Sequence, residues 1–188
     1  MRIYLRPDPF QCLSAWWSFA DPAGATEAQK FHIDLDDVKF CKLFIYLTDV
    51  DEDSGPHTYI GGSHDMELIT KLRDQWPGGS EEFNKWYFNT LRKTDGQVKR
   101  IFGRDPTHLT GPRGTRFVAD TFGVHKGVPP KKGERLVCQV EYGVSPLLKE
   151  PVVPLRMGSK ATRHIPDSAT TPPLDYVNRL FVLPAVEA

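Results

Sequence analysis

The sequence has few cysteines and no long apolar run. Its three cysteines, Cys12, Cys41 and Cys138, lie far apart and are odd in number, which favours buried thiols in a reducing compartment over disulfides or a zinc site. No apolar stretch approaches the roughly 18 residues that a membrane-spanning helix requires. The chain starts at Met1 without the basic and apolar regions of a secretory signal. We therefore expect a cytoplasmic protein.

An excess of charge of either sign is also absent. The 24 lysines and arginines balance 24 aspartates and glutamates, and no basic run is longer than LRK or PKK. Nucleic acids and acidic membranes are bound through basic patches, so neither partner is expected. A small-molecule substrate is the natural partner, and a monomer is the default expectation.

The 188 residues fit a single domain, and most of its predicted elements are strands. Apolar or alternating segments between turn residues predict the strands FCKLFIYL, HTYI, QVKRIFG, RFVADTFGVHK and ERLVCQVEY. Apolar residues at helical spacing predict a helical insert between Met66 and Leu91. The expected fold is mainly β, a double-stranded β-helix (jelly-roll or cupin-like) barrel with a helical insert. Its core spans 31–142, and 144–188 form an irregular C-terminal tail.

Three aromatic residues near the N terminus, Trp16, Trp17 and Phe19, form a cluster in the sequence. Aromatic side chains bury the most area per residue. We therefore expect this cluster to belong to the core rather than to a substrate pocket.

The first candidate site residues are His32 and Asp34, at the head of the apolar strand region 31–50. On a strand, side chains two residues apart point the same way, roughly 6.5 to 7 Å apart at the backbone. An imidazole and a carboxylate directed at one point can hold a divalent metal, and a second histidine would complete a two-histidine, one-carboxylate set.

His125 is the candidate for that second histidine, because it ends a strand-like run whereas His57, His64, His108 and His164 lie in loop-like settings. Arg135 follows ten residues later, on the strand face that it shares with Val137, Gln139 and Glu141. A guanidinium can bind a carboxylate through two parallel hydrogen bonds. The hypothesis is a ferrous ion held by His32, Asp34 and His125, with Arg135 anchoring the far carboxylate of a metal-chelating keto acid.

Simpler interpretations of the same residues stay open. His32 and Asp34 can instead be a strand-start pair bonded to loop backbone, and Arg135 can form a surface salt bridge with Glu141 or Asp120. Asp36 is expected in a solvated turn. Lys42 interrupts an apolar run and either pairs with an acid or faces the cavity.

The motifs FHIDLDD, KLFIYLTDVDEDSGPHTYIGGSH and DTFGVHKGVPPKKGERLVCQVEY together resemble the phytanoyl-CoA dioxygenase-like family of Fe(II)/2-oxoglutarate-dependent oxygenases. The resemblance covers about 31–142. It implies iron at His32, Asp34 and His125, and 2-oxoglutarate at Arg135 with Phe44 alongside. It also implies a jelly-roll fold and O2 as co-substrate. The related halogenases lack the carboxylate of Asp34, so the resemblance implies a hydroxylase or similar oxidase.

The chain departs from the family pattern at three places. Only 31 residues precede His32, whereas family members commonly carry a longer N-terminal portion that helps to form the wall of the substrate pocket. Gly61 replaces a frequent proline, and Gly127 leaves no side chain for a hydroxyl contact to 2-oxoglutarate. The rival functions are a cupin-like metalloenzyme that does not use 2-oxoglutarate and a non-catalytic metal-binding relative.

Overall fold

The computed structural model describes residues 10–21, 25, 27–88, 92–144, 155–156 and 182–183. The chain divides into two compact units, Met1–Val144 and Ser145–Ala188. The strands of the first unit are β1 Phe10–Phe19, β2 Phe40–Tyr46, β3 His57–Tyr59, β4 Thr107–Leu109, β5 Arg116–Ala119, β6 His125–Gly127 and β7 Glu134–Gly143. Its helices are a 3-10 helix, Glu27–Gln29, and α1 Met66–Asp74, α2 Gly79–Phe88 and α3 Asp95–Phe102.

The strands form two antiparallel sheets whose inner faces meet. The order is β1-β7-β2-β5 in the four-stranded sheet and β4-β3-β6 in the three-stranded sheet. The Phe44 ring of the first sheet lies 4.6 Å from the His57 ring of the second, and the Tyr46 hydroxyl donates to the Leu109 carbonyl at 2.6 Å. The prediction of a mainly β fold with a helical insert is therefore confirmed.

Alternation along β7 decides which side chains face the space between the sheets. Arg135, Val137, Gln139 and Glu141 are all buried, whereas the residues between them are only partly buried. This is the face division expected from the period of two. On β2, Phe40, Lys42, Phe44 and Tyr46 lie on the same inner face, because cross-strand partners of β7 point the same way.

The three α-helices contribute to one apolar cluster. Buried Ile69, Phe83, Tyr87, Val98 and Phe102 of the helices pack with Phe31, Ile33, Ile60 and Val124. The Asp65 side chain caps α1 by accepting from the Glu67 backbone N–H at 2.8 Å. Phe31 and Ile33 flank His32, so the segment that carries this candidate metal ligand is anchored to the cluster.

The structure corrects the strand predicted for QVKRIFG. Residues 97–102 belong to α3 and Gly103 is its C-cap, and Val98 and Phe102, four positions apart, are both buried. A capping box starts the helix: the Gln97 N–H donates to Thr94 Oγ1 at 3.3 Å, and the Thr94 N–H donates to Gln97 Oε1 at 2.9 Å. Reciprocal capping and helical spacing outweigh the short alternation that suggested a strand.

Two further predictions are wrong in part. The strand RFVADTFGVHK is broken into β5 and β6 by a turn in which Asp120 accepts from the Phe122 N–H at 3.1 Å and the Gly123 N–H donates to the Asp120 carbonyl. The aromatic residues Trp16, Trp17 and Phe19 are 46%, 52% and 57% exposed, because β1 is an edge strand.

The three cysteines are free thiols. Cys12 is exposed, Cys41 is buried and Cys138 is half-buried.

In the second unit, β8 Leu155–Arg156 and β9 Val182–Leu183 pair in parallel. The rest of the tail predicted at 144–188, apart from Val144, lies outside the described residues, so that prediction and the single-domain prediction stay predictions. Within the described part of the chain, no helix has the length and apolar character needed to cross a membrane.

Candidate metal centre

His32, Asp34 and His125 are brought together by backbone pairing between two segments that lie far apart in the chain. The His32 N–H donates to the His125 carbonyl, and the His125 N–H to the His32 carbonyl, both at 2.9 Å. The Asp34 N–H donates to the Thr121 carbonyl at 2.8 Å. This extended pairing directs His32 and Asp34 to one side, where His125 lies opposite.

Each of the two histidine rings is oriented by a backbone carbonyl. His32 Nδ1 lies 2.8 Å from the Lys30 carbonyl oxygen, and His125 Nδ1 lies 2.9 Å from that of Gly123. A bond from each Nδ1–H to its carbonyl leaves both Nε2 atoms free to accept, the arrangement usual for metal-binding histidines. The Nε2 atoms lie 3.7 Å and 3.5 Å from the carboxylate oxygens of Asp34, respectively.

The ligand atoms of these three residues all lie within 4.8 Å of one another. In the part of the chain that the structure describes, they form the one cluster of three or more candidate metal ligands. Both histidines are buried, while the Asp34 side chain is 19% exposed. Two imidazoles and one carboxylate suit an open ferrous centre, whereas a structural zinc site closes its shell with a fourth protein ligand.

The two imidazoles are held in the neutral form that binds metals. Burial, with the positive charge that a protonated His125 would add, lowers the pKa of His32 to about 4. Burial also lowers the pKa of His125, although Asp34 opposes that effect. Both rings therefore offer a lone pair at neutral pH without first losing a proton.

Lys42 pairs with acids on the inner face of β2, one of the two alternatives left open by the sequence. Its Nζ lies 2.6 Å from Asp34 Oδ2, 2.5 Å from Asp36 Oδ2 and 3.6 Å from Glu141 Oε2. Burial alone would raise the pKa of Asp34, but a protonated His125 and the Lys42 ammonium lower it instead. Asp36 is thus not a solvated turn residue, because it shares the buried ammonium with Asp34.

Arg135 lies on the inner face of β7 and is 6% exposed, so a surface salt bridge is the wrong interpretation. Its Nη2 donates to Ser18 Oγ at 3.1 Å, its Nη1 donates to the Gly55 carbonyl, and its buried Nε has no hydrogen-bond partner among the described residues. A Cβ atom added to Gly127 would lie 2.8 Å from Nη2. Gly127 is thus needed for the guanidinium to approach the β6 backbone.

Phe44 lies in an aromatic group between the sheets with Phe117 and His57. Its ring stacks on Phe117 at 5.1 Å and contacts His57 at 4.6 Å. His57 in turn stacks on His125 at 5.4 Å. The sequence placed His57 in a loop-like setting, whereas it begins β3 and is buried. The sequence did contain a signal for a strand at His57, because this residue follows the turn residues Gly55-Pro56 and starts the segment HTYI.

His64 is exposed and lies beside Tyr59. Its Nδ1 lies 3.1 Å from the Tyr59 hydroxyl, which donates to the Asp120 carbonyl at 2.8 Å. A Cβ atom at Gly123 would lie 1.9 Å from that hydroxyl. Gly123 therefore permits the turn that delivers His125 to its position.

Comparison with known proteins gives structural likenesses only. No family model and no curated protein matches the chain. Similar solved structures include AviO1 from Streptomyces viridochromogenes Tue57, with 21% identity over 76% of this chain and 53% of that chain, and a TM-score of 0.44. The non-heme alpha ketoglutarate dependent carbocyclase SnoK from nogalamycin biosynthesis has 16% identity over 71% of this chain and 50% of that chain, and a TM-score of 0.46.

A third similar structure is HygX from Streptomyces hygroscopicus with nickel and 2-oxoglutarate bound. Its identity is 15% over 73% of this chain and 54% of that chain, and its TM-score is 0.33. The chain thus spans about half the length of these three proteins. At these identities and TM-scores the likenesses assign the chain to no family.

Proposed function

We propose that this protein is an Fe(II)/2-oxoglutarate-dependent dioxygenase that hydroxylates or otherwise oxidises a small organic substrate. One observation carries the proposal: the Nε2 atoms of His32 and His125 both lie within 3.7 Å of the Asp34 carboxylate, with each Nδ1 beside a backbone carbonyl. Two imidazoles and one carboxylate that leave adjacent positions open are the ligand set typical of non-haem Fe(II) oxygenases.

When bound at this site, iron would supply the chemistry that activates O2. In that reaction 2-oxoglutarate is decarboxylated to succinate and CO2, one oxygen atom enters succinate, and the other enters the substrate, usually as a hydroxyl group. The protein contributes ligand orientation, cosubstrate binding and exclusion of water.

The remaining inner-face residues suit this role. The Arg135 guanidinium is buried and retains an Nε–H without a partner among the described residues, a group that the distal carboxylate of 2-oxoglutarate would satisfy. Phe44 and Phe117 stack on each other in the apolar cluster between the sheets, where their rings would help to exclude water. Lys42 holds Asp34 in its ionised form.

We also propose the finer fold assignment, a jelly-roll in which the two facing sheets form the double-stranded β-helix. The carboxylate at position 34 favours hydroxylation over halogenation, by resemblance to the phytanoyl-CoA dioxygenase-like family. The identity of the substrate depends on pocket walls outside the metal-binding set, so only its class, a small organic molecule, is proposed.

The test is an anaerobic titration of the apoprotein with Fe(II) and 2-oxoglutarate, followed by the visible charge-transfer band of the chelate. We expect the band in the wild type, its loss in Asp34→Ala, and a weaker band at equal 2-oxoglutarate in Arg135→Ala. Arg135→Ala should still bind Fe(II), because its guanidinium is not a ligand. Succinate release in air, with a panel of substrates, then measures turnover.

Two exposed residues give matched controls. Asp53→Ala removes a surface carboxylate paired with Lys131 and Lys132, and Arg104→Ala removes a surface guanidinium bonded to the Gly61 carbonyl. Both should retain the wild-type band. Fe(II) binding without any band would favour the cupin-like metalloenzyme. A chelate that no substrate stimulates to release succinate would favour the non-catalytic relative.

A further inference from the structure

A buried histidine that the metal centre does not use lies between that centre and Arg135. His57 is 7% exposed, and its ring contacts those of Phe44, Phe117 and His125 at 4.6, 5.3 and 5.4 Å. Its backbone N–H donates to the Tyr46 hydroxyl at 3.0 Å. The imidazole is therefore held in one place by packing on several sides.

His57 Nε2 is buried and has no hydrogen-bond partner among the described residues, like Arg135 Nε. A buried polar group left unsatisfied is costly, so native proteins usually provide a partner from the protein, water or a ligand. When the ring proton is on Nε2, His57 therefore has a buried N–H with no acceptor among the described residues.

The strand register places His57 beside the guanidinium. His57 is the cross-strand partner of Gly127, and residues directly opposite in an antiparallel pair point to the same face. The Arg135 guanidinium occupies the space over Gly127 that a side chain there would fill. The His57 imidazole and the Arg135 guanidinium therefore border the same part of the space between the sheets. His125, a candidate metal ligand, is two residues from Gly127 on the same strand.

We propose that His57 is a cosubstrate-binding residue, whose Nε2–H and the Arg135 guanidinium donate together to the distal carboxylate of the keto acid. Because Gly127 offers no side chain, its cross-strand neighbour His57 supplies the second donor. This inference rests on the proposed function, since it requires that the protein bind a dicarboxylate keto acid at all.

The test compares two metal chelators by isothermal titration calorimetry on the Mn(II)-loaded protein. Both 2-oxoglutarate and oxalate chelate the metal, but only 2-oxoglutarate carries a distal carboxylate. His57→Phe keeps an aromatic ring and removes the donor. The Kd for 2-oxoglutarate should rise about 10- to 100-fold, which corresponds to roughly 1.4 to 2.8 kcal/mol, the range of a hydrogen bond to a charged group. The Kd for oxalate and for Mn(II) should not change.

Three further variants make the comparison specific. His57→Asn retains an N–H donor and should recover part of the affinity for 2-oxoglutarate. His57→Leu is a second variant without a donor, in case the phenylalanine ring prevents folding. His108→Phe replaces an exposed histidine on β4 that pairs with Glu52, and it should bind 2-oxoglutarate as the wild type does.

The outcomes separate this inference from the function on which it rests. Wild-type affinity for 2-oxoglutarate in folded His57→Phe or His57→Leu would overturn the role of His57 and leave the dioxygenase proposal standing. Equal losses for oxalate and 2-oxoglutarate would place His57 at the metal end and overturn it as well. If the wild type binds Mn(II) but not 2-oxoglutarate, the dioxygenase proposal fails, and the assignment of His57 fails with it.

Discussion

At the scale of single residues, Lys42 shows how a charged side chain can be part of a buried site. It is 3% exposed, and its ammonium lies within 2.6 Å of both Asp34 and Asp36. Taking an ammonium out of water is costly unless carboxylates at close range compensate. The same contacts direct one oxygen of Asp34 and keep the carboxylate ionised, which a metal ligand requires.

Lys42→Met should therefore weaken both the metal site and the fold. Loss of an outer-shell partner typically lowers metal affinity 10- to 100-fold, and breaking a buried ion pair costs about 3 to 5 kcal/mol of unfolding free energy. Calorimetric Mn(II) titration and urea unfolding measure the two effects.

Lys131→Met is the matched control for that variant. Lys131 forms an exposed pair with Asp53 at 3.3 Å. Exposed pairs of this kind contribute little to stability, so the unfolding free energy should change little and the metal affinity should be unchanged. If Lys42→Met resembled this control in both measurements, the contacts of Lys42 would not be what positions Asp34.

At the scale of elements, α3 shows why one strand prediction was wrong. The alternation in QVKRIFG is compatible with a strand, but Val98 and Phe102 also have helical spacing. The deciding signal was local and was present in the sequence: Thr94 and Gln97 have the spacing of a capping box. The helix buries Val98 and Phe102 in the cluster that also contains Phe31 and Ile33, the neighbours of His32.

Thr94→Ala should destabilise the protein by about 1 kcal/mol, because the first turn of α3 loses a side-chain acceptor. Urea unfolding measures the change. Thr94→Ser keeps the hydroxyl and serves as the control, with a much smaller effect. Equal losses for the two variants would mean that packing, not the cap, accounts for the cost.

Another element, β1, shows the limit of composition as a guide to burial. The segment CLSAWWSF is rich in aromatic residues, yet Leu13, Trp17 and Phe19 are all more than half exposed. Pairing with β7 on one side makes β1 the edge of its sheet. Large aromatic side chains are buried on average, but an edge position takes away neighbours that composition alone does not reveal.

At the scale of the whole molecule, the candidate metal ligands join segments that are distant in the chain. His32 and Asp34 precede β2, while His125 begins β6 after all three helices. The unfolded chain has no such preformed cluster, so metal binding should be coupled to folding.

Mn(II) at 100 times its Kd should thus stabilise the wild type by about 2.7 kcal/mol, which corresponds to a rise in Tm of roughly 5 to 10 °C for a chain of this size. Thermal unfolding followed by circular dichroism, with and without Mn(II), measures this. Asp34→Ala should show no rise, and Asp53→Ala should show the wild-type rise. An equal rise in Asp34→Ala would place the metal elsewhere.

Features that depend only on local geometry could be predicted from the amino-acid sequence. The period of two along ERLVCQVEY predicted that Arg135 shares one strand face with Val137, Gln139 and Glu141. The spacing of His32 and Asp34 predicted that both point the same way, and their role as metal ligands stays a prediction. The tertiary structure decided what depends on contacts between distant segments: the pairing of His32 with His125, the attachment of Lys42 to Asp34, and the burial of His57 opposite Gly127. Local periodicity indicates which way a side chain points. Which residue it contacts depends on the strand register, and only the packed sheets establish that register.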